Sequence, residues 1–424
     1  MTDDLMKSSG SGDADNSTHA DEQRLYPKVR FRGFDEPWKK VKARQLFISK
    51  SKKNYPALPV LSASQELGMI YRSNLDSDIK TERSGLKNYK LIEPGDFVIH
   101  LRSFQGGFAY SDKRGIASPA YTVFTFKDKT NHDDYFWKEK FQTYNFIQLL
   151  KQVTYGIRDG KSISYSDFST LKLTYTSKKE QVQISKCLKQ INSLLSLQQR
   201  KLELENELNR FYIGKIFANN NNYPELRFSS FNNSWEIAKL KEIITHKSGS
   251  PIEKYFSENG PLKVISIGSY GLDNSYIDQK IRAERNNVTE KYMVQKNDLT
   301  MVLNDKTSDC RILGRVLIIN NDNEYVANQR TEIITPNKTV YPQFLYQLIN
   351  GAFRTKIKKI AQGGTQIYVN FKSVEKLKLS IPEYEEQKDI SKFLGLIKNK
   401  LSFEQSNVTI TQQLKQFLLQ NLFI

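Results

Sequence analysis

Tyr26-Pro27-Lys28-Val29-Arg30-Phe31 is met again as Tyr223-Pro224-Glu225-Leu226-Arg227-Phe228, an offset, Tyr26 to Tyr223, of 197. Phe34 and Trp38 follow the first copy at the spacing at which Phe231 and Trp235 follow the second. Further on, Leu171-Lys172-Leu173 returns as Leu377-Lys378-Leu379, and Ile184-Ser185-Lys186 as Ile390-Ser391-Lys392. A period this long signals a duplicated domain rather than a solenoid, whose repeats run to a few tens of residues. Two like domains on one chain suit an approximate two-fold arrangement, and duplex DNA offers a matching pseudo-dyad.

Between these landmarks each half reads in the same order. After the lead segment come strand signals, short β-branched or aromatic runs bounded by turn residues. They are Asp96–Leu101 and Tyr121–Phe126 in the first half, and Asp298–Leu303 and Gly314–Ile319 in the second. A helix is expected over roughly Tyr135–Thr154 and again over Tyr341–Ile360, each ended by a glycine turn, Asp159-Gly160 or Gly363-Gly364. A short apolar strand follows, Leu171–Tyr175 or Leu377–Ile381, and then a long helix. In the first long helix Ile184, Leu188, Ile191, Leu195 and Leu202 repeat at heptad-like steps, with Leu197, Leu204 and Phe211 as a neighbouring stripe. In the second, Ile390, Leu394, Ile397 and Leu401 keep those steps and Val408, Ile410, Leu414, Phe417 and Leu418 continue them. Each helix, at about 50 Å, outruns its own lobe, which predicts that the two pair antiparallel as a spacer. The expected fold is α+β: two similar α/β lobes in tandem, separated by two long antiparallel coiled-coil-like helices in a pseudo-two-fold arrangement. The expected boundaries are an acidic disordered tail over 1–24, lobes over 25–177 and 218–382, and spacer helices over 178–217 and 383–424.

The 424 residues carry a net charge of +18, with 38% hydrophobic and 12% aromatic residues, a folded protein with a polyanion for a partner. The tail runs the other way, with Asp3, Asp4, Asp13, Asp15, Asp21 and Glu22 against Lys7 and Arg24. It has no apolar core of a signal peptide, and no apolar run is long enough to span a bilayer. Cys187 and Cys310 lie in different halves, which points to a reducing cytoplasm rather than a disulfide framework.

No catalytic constellation is legible. His19, His100, His132 and His246 stand apart from Cys or acidic neighbours at zinc-ligand spacing, and no Gly-rich phosphate loop occurs. There is no Pro-Pro pair for an Asn/Asp-Pro-Pro-Tyr/Phe amino-methyltransferase loop, and neither cysteine follows a proline. Glu386-Gln387-Lys388 has the outline of a nuclease Glu-x-Lys, but it opens a helix, where acidic residues favour the dipole, and its repeat Glu180-Gln181 has no lysine next.

The lead pattern Tyr-Pro-x-Leu/Val-Arg-Phe…Phe…Trp in both halves, the turn Gly363-Gly364-Thr365-Gln366, and Ile381-Pro382 leading through Glu385-Glu386-Gln387-Lys388 to Ile390 and a long helix resemble the specificity subunit of type I restriction-modification enzymes. The resemblance covers roughly residues 25–424. Half one departs from it at Asp159-Gly160-Lys161-Ser162 and at a helix start, Thr176–Gln181, without the proline. It implies a non-catalytic reader of a split, asymmetric sequence in double-stranded DNA. It further implies docking of two methyltransferase subunits and of restriction/translocase subunits. S-adenosylmethionine, ATP and Mg²⁺ would reside on those partners, and this chain would bind no cofactor or metal. The remaining readings are a basic RNA-binding protein, a stand-alone DNA-binding protein without methyltransferase partners, and an enzyme with an unfamiliar site.

Base edges are read by Arg to guanine and Asn or Gln to adenine. The expected DNA contacts are therefore Arg102, Ser103, Gln105, Lys113, Arg114, Arg158 and Lys161 in half one. In half two they are Asn304, Asp305, Lys306, Arg311, Asn328, Gln329, Arg330, Gln362, Thr365 and Gln366, with Lys356, Lys358 and Lys359 at a helix end for phosphates. Trp38 and Trp235 are expected to anchor their lead segments to the cores.

Overall fold

A computed structural model describes residues 6–8, 25–64, 67–75, 83–100, 103, 107–154, 163–218 and 222–424. Two compact units emerge, Met1–Gln199 with Ser406–Ile424, and Arg200–Gln405. The division falls within both long helices, α1 (Lys178–Ile216) and α2 (Tyr384–Asn421). Each unit thus holds one lobe, the start of one long helix and the end of the other. Of the tail, Met6–Ser8 pairs antiparallel with Val29–Phe31, and the rest lies outside the described residues.

The two lobes share a topology. In unit 1 the central antiparallel sheet runs Phe47–Lys50, Thr122–Phe126, Asp96–Ile99, Ala109–Ser111. In unit 2 the order is Ile244–Ser248, Thr331–Pro336, Leu299–Val302, Val316–Ile318. The segment after each buried tryptophan forms a two-stranded ribbon with the strand that precedes the long helix: Lys39–Lys42 with Lys172–Tyr175, and Glu236–Lys239 with Lys378–Ile381. Strand centres fall where the sequence places them, and the ends are shorter. Unit 2 adds a second four-stranded sheet with a parallel pair, Leu262–Ile265 beside Tyr325–Ala327.

The mid-lobe helices are more broken than their periodicity suggests. Instead of one helix over 135–154 there are two, Asp134–Lys140 and Tyr144–Lys151, with Thr143 capping the second. Gly107 packs against the break: at φ +84 any side chain there would collide with the main-chain oxygen of Phe141. In unit 2 the helix runs Pro342–Leu348, passes through a wide turn with Gly351 off helical geometry, and resumes at Arg354–Lys359.

Each long helix is buried at both ends, in different units. At 39 and 38 residues they are about 58 Å long, close to the spacer bounds expected from the sequence. In unit 1, Ile184 and Leu188 share a core with Leu418, Leu422 and Phe423, so the start of α1 lies against the end of α2. In unit 2, Ile390 and Leu394 share a core with Ile216, Phe217 and Ala218. There Lys201 pairs with Glu404 and Lys400 with Glu205, both at 2.6 Å; advancing along one helix retreats along the other, which is an antiparallel pairing. Ile191 and Ile397 pack on the edges of these cores, and Leu195, Leu202 and Leu401 are half-buried. Leu414 corrects the expected seam. It is 47% exposed, because the buried face of α2 there is set by Val408, Thr411 and Leu418. Ile410 and Phe417 share its outward stripe.

Trp38 and Trp235 are each 1% exposed. Trp38 packs on Phe136 and Phe423, and Trp235 on Phe344, fastening the lead segments to the cores. Beside Trp38 lies Lys140, a wholly buried lysine whose ammonium donates to Thr174 Oγ1 and to the main-chain oxygen of Ile424, both at 2.9 Å. Burial pushes its pKa down to about 7. The unfolded chain keeps that proton to higher pH, so it binds more protons than the folded one between these values, and stability rises with pH. From pH 7 to pH 9 a gain of about 2 kcal/mol is expected for unit 1. Denaturant titrations at both pH values, with Lys140→Met abolishing the rise, check it.

Candidate nucleic-acid interface

In unit 2 three segments far apart in sequence converge beyond the end of the strand Leu299–Val302. Leu303 donates its N–H to Arg330 O at 3.0 Å and accepts from Val369 N at 2.9 Å. Asn304–Asp305 then pairs with Ile367–Tyr368. This brings together the loop 305–313, the turn 328–331 and the hairpin 362–368.

Asp305 organises the first of these. Its carboxylate is 3% exposed. One oxygen accepts from Thr307 N and Oγ1, at 2.9 and 2.8 Å, and the other from Ile312 N and Leu313 N, at 2.7 and 3.3 Å. Burial works to raise its pKa, and the donors outweigh that and hold it below the ordinary value. Arg354 closes the loop from the other side, donating to Leu313 O, Cys310 O and Arg311 O at 2.9, 2.8 and 2.6 Å. Burial, with the Arg315 charge nearby, pushes its guanidinium down to about 10. Nothing in the sequence singles Arg354 out; its role depends on the kink at Gly351 that aims the following turn at the loop. Lys306 and Arg311 ride on the loop thus fixed, both exposed, with Arg311 at 2.5 Å from Asp309.

The hairpin is clasped by mutual hydrogen bonds of Gln362 and Tyr368 at 2.9 Å, leaving Gly363, Gly364, Thr365 and Gln366 exposed at its tip. Gly363 has φ +100 and a side chain there would strike Gln366 O, so the turn requires glycine. On the third segment Gln329 and Arg330 are exposed, with Gln329 at 2.7 Å from Glu253.

Several expected contacts are structural instead. Asp305 is committed to its loop. Asn328 is buried and spends its amide on Ile252 N, Gln329 N and Glu253. Lys356 donates to Lys378 O at 2.8 Å, whereas Lys358 and Lys359 are exposed on the same short helix. Asn304 is half-buried in its strand. In unit 1, Ser103 is 1% exposed and its hydroxyl accepts from His100 N, closing a turn rather than facing a ligand. Lys113 sits 2.5 Å from Asp112, and Arg114 is exposed beside it. Arg102, Gln105, Arg158 and Lys161 lie outside the described residues.

The acidic helix starts are clamps. Arg30 meets Glu180 with two bonds, 2.7 and 2.8 Å, and Arg227 meets Glu386 with two at 2.7 Å. Gln181 accepts from Asp133 N, and Gln387 from Tyr341 N. Lys388 turns back to Glu385, so the nuclease-like outline at 386–388 is a structural joint. His246, isolated in sequence, is bracketed by Glu332 at 2.6 Å and Glu375 at 3.1 Å. Among the described residues no cluster of His, Cys, Asp and Glu is arranged to hold a metal ion.

The family model for the type I restriction modification DNA specificity domain matches the chain twice, over residues 36–206 and 232–416. The chain is 23% identical over 326 residues to the type I restriction enzyme MjaVIII specificity subunit of Methanocaldococcus jannaschii, covering 74% of this chain and 75% of that one. Its fold is similar to the S subunit of a type I restriction-modification system from M. genitalium, with TM-score 0.54 and 16% identity over 94% of this chain and 99% of the other. It is also similar to the HsdS subunit from Thermoanaerobacter tengcongensis, with TM-score 0.52 and 12% identity over 92% and 98%. With two copies of the domain covering most of its length and an architecture shared with solved members, the chain belongs to the type I restriction-modification DNA specificity family.

Proposed function

We propose that the chain is the DNA-reading subunit of a type I restriction-modification complex, and that each lobe reads one segment of a split, asymmetric duplex target. The observation that carries this is the convergence, in a duplicated lobe, of exposed amides and cations from three distant segments on one preorganised surface. In unit 2 Gln329, Gln362 and Gln366 suit adenine, Arg311 and Arg330 suit guanine, and Lys306, Lys358 and Lys359 suit phosphates. Residues 25–177 and 218–382 are the target-recognition domains, and the long helices are the spacer. No helix is long and apolar enough to cross a membrane. The complex works in the cytoplasm, where its DNA is.

Two methyltransferase subunits are the expected partners, joined by restriction/translocase subunits. S-adenosylmethionine, ATP and Mg²⁺ belong to those subunits and the chemistry is theirs. Support for two equal docking sites comes from the long helices. Leu204, Leu208 and Phe211 are each about half exposed in unit 2, as are Ile410, Leu414 and Phe417 in unit 1. The two triplets are separated by the interval that separates Ile184 from Ile390. An apolar triplet at i, i+4, i+7 is the face a partner helix covers.

The test is a genome-wide map of adenine methylation in cells with and without this chain. A split motif that vanishes on deletion is the expected result, and an unaltered map overturns the reading. The spacer role is tested by removing one heptad from each long helix at matched levels, 196–202 and 403–409. These segments avoid Leu188, which belongs to the core. Seven residues are about 10 Å of helix, so the unread gap shortens by about three base pairs while both half-targets keep their sequences. A folded double deletion with the original gap sinks the spacer role.

A further inference from the structure

The two lobes are duplicates, so a surface charged in one and neutralised in the other marks a place where they have diverged in use. The ribbon before the long helix is such a place. In unit 1 it presents Lys39, Lys40, Lys42, Arg44 and Lys172, all exposed. None of the five is ion-paired with a described residue. Lys172 stands directly across from Lys42, a like-charge pairing that weakens a ribbon and that Lys378 and Lys239 repeat in unit 2, so the difference between the lobes lies in Lys39, Lys40 and the acids found in the duplicate. Four of the five line a shallow hollow of about 470 Å³. At the equivalent positions unit 2 has Glu236, Ile237, Lys239, Lys241 and Lys378. Glu242, replacing Gln45, accepts from Lys239 N at 2.7 Å. Unit 1 therefore has five cations and no acid where unit 2 has three cations and two acids. The backbone pairing is the same in both, so the fold does not demand the extra charge, and its mutual repulsion costs stability.

We propose that this ribbon of unit 1 is a DNA-backbone grip, a phosphate-binding surface that holds the duplex without reading its sequence, and that unit 2 lacks its counterpart. The occupant is duplex DNA, because a cluster of uncompensated lysines on a rigid ribbon complements a line of phosphates and offers no fixed fork or amide for base edges. The grip rests on the proposed function above, and it makes the two half-sites unequal. Non-specific affinity resides mainly in unit 1.

The experiment uses the full chain and two duplexes, one carrying the target mapped by methylation and one scrambled, titrated across a range of salt. The variant K39Q/K40Q/K42Q/R44Q/K172Q is compared with the charge-keeping K39R/K40R/K42R/K172R. Expected for the glutamine variant is a loss of affinity of tenfold or more for both duplexes alike, about 1.4 kcal/mol or more, with the preference for the target unchanged. The log–log salt slope becomes shallower by about 0.9 for each phosphate that is no longer neutralised. The arginine variant binds as the wild type does. An unchanged slope overturns the grip, as does a collapse of sequence preference or an arginine variant as weak as the glutamine one. Should the glutamine set melt early, K39Q/K40Q, at two exposed positions, is read in its place. A wild-type chain that does not prefer the target overturns the proposed function itself. A wild type that does, with a variant that binds equally well, overturns the grip alone.

Discussion

Replacing Arg30 with alanine is expected to destabilise unit 1 by about 3–5 kcal/mol, because it leaves the carboxylate of Glu180 buried without its partner. Arg30 is 5% exposed and Glu180 1%, and the guanidinium also donates to Glu36 O at 2.7 Å. The pair joins the lead segment to the first turn of α1, so the lesion reaches both the core around Trp38 and the root of the long helix. For a unit of about this size the melting temperature falls by about 10 °C. Arg30→Met with Glu180→Leu removes both charges and is expected to cost far less than Arg30→Ala alone, since no buried charge is stranded. A thermal or denaturant melt of the full chain reads both. If Arg30→Ala melted with the wild type, the clamp would be ornamental. Arg227→Ala should follow the same direction, because it strands Glu386, whose carboxylate is wholly buried.

Asp305→Ala is expected to abolish reading of the half-target served by unit 2 while leaving the other half intact. The substitution removes the acceptor of Thr307 N, Thr307 Oγ1, Ile312 N and Leu313 N at once. Lys306 and Arg311 would then sample many positions, and the ordering cost falls on binding. A loss of about 10- to 100-fold in target affinity follows from some 1.4–2.8 kcal/mol of lost preorganisation. The methylation map is the readout, with one half of the motif degenerating and the other unchanged. Retained sequence at both halves in a folded variant sinks the assignment of this loop. The carboxyl is held below its ordinary value, so its contribution is present above the unfolded value and is lost only as pH falls through the folded one, in the acid range.

Much of the fold was legible because it is written twice. Periodicity alone would not have separated a long lobe helix from a spacer; a length that outruns the lobe, found in both halves, did. The breaks were not legible. Residues 135–154 keep an apolar helical rhythm through Phe141, and what interrupts it is Thr143, whose extended backbone and hydroxyl cap a second helix. Leu414 fits a heptad as well as Leu418 does. The two differ only in which face of α2 meets the lobe, a fact of packing. The interface divides in the same way. Exposed amides and cations on loops, such as Gln329, Arg330 and Gln366, could be named from residue type. Asn328, Asp305 and Ser103 are polar loop residues too and serve the scaffold, because burial decides whether a polar group meets a ligand or its own backbone.

Sequence by itself determined that there are two like lobes, that each ends in a long amphipathic helix, and that an anionic partner is sought. These follow from repetition, from the 3.6-residue period and from net charge, all linear properties of the chain. Tertiary structure alone decided that each helix is anchored at its far end in the other unit's core. It also decided that Arg354 and Asp305 set a loop, and that four lysines and an arginine of one ribbon have no ion-pair partner among the described residues. Those facts depend on which distant groups share a space, and hydrogen-bond and charge energies are fixed by separations of a few ångströms rather than by distance along the chain.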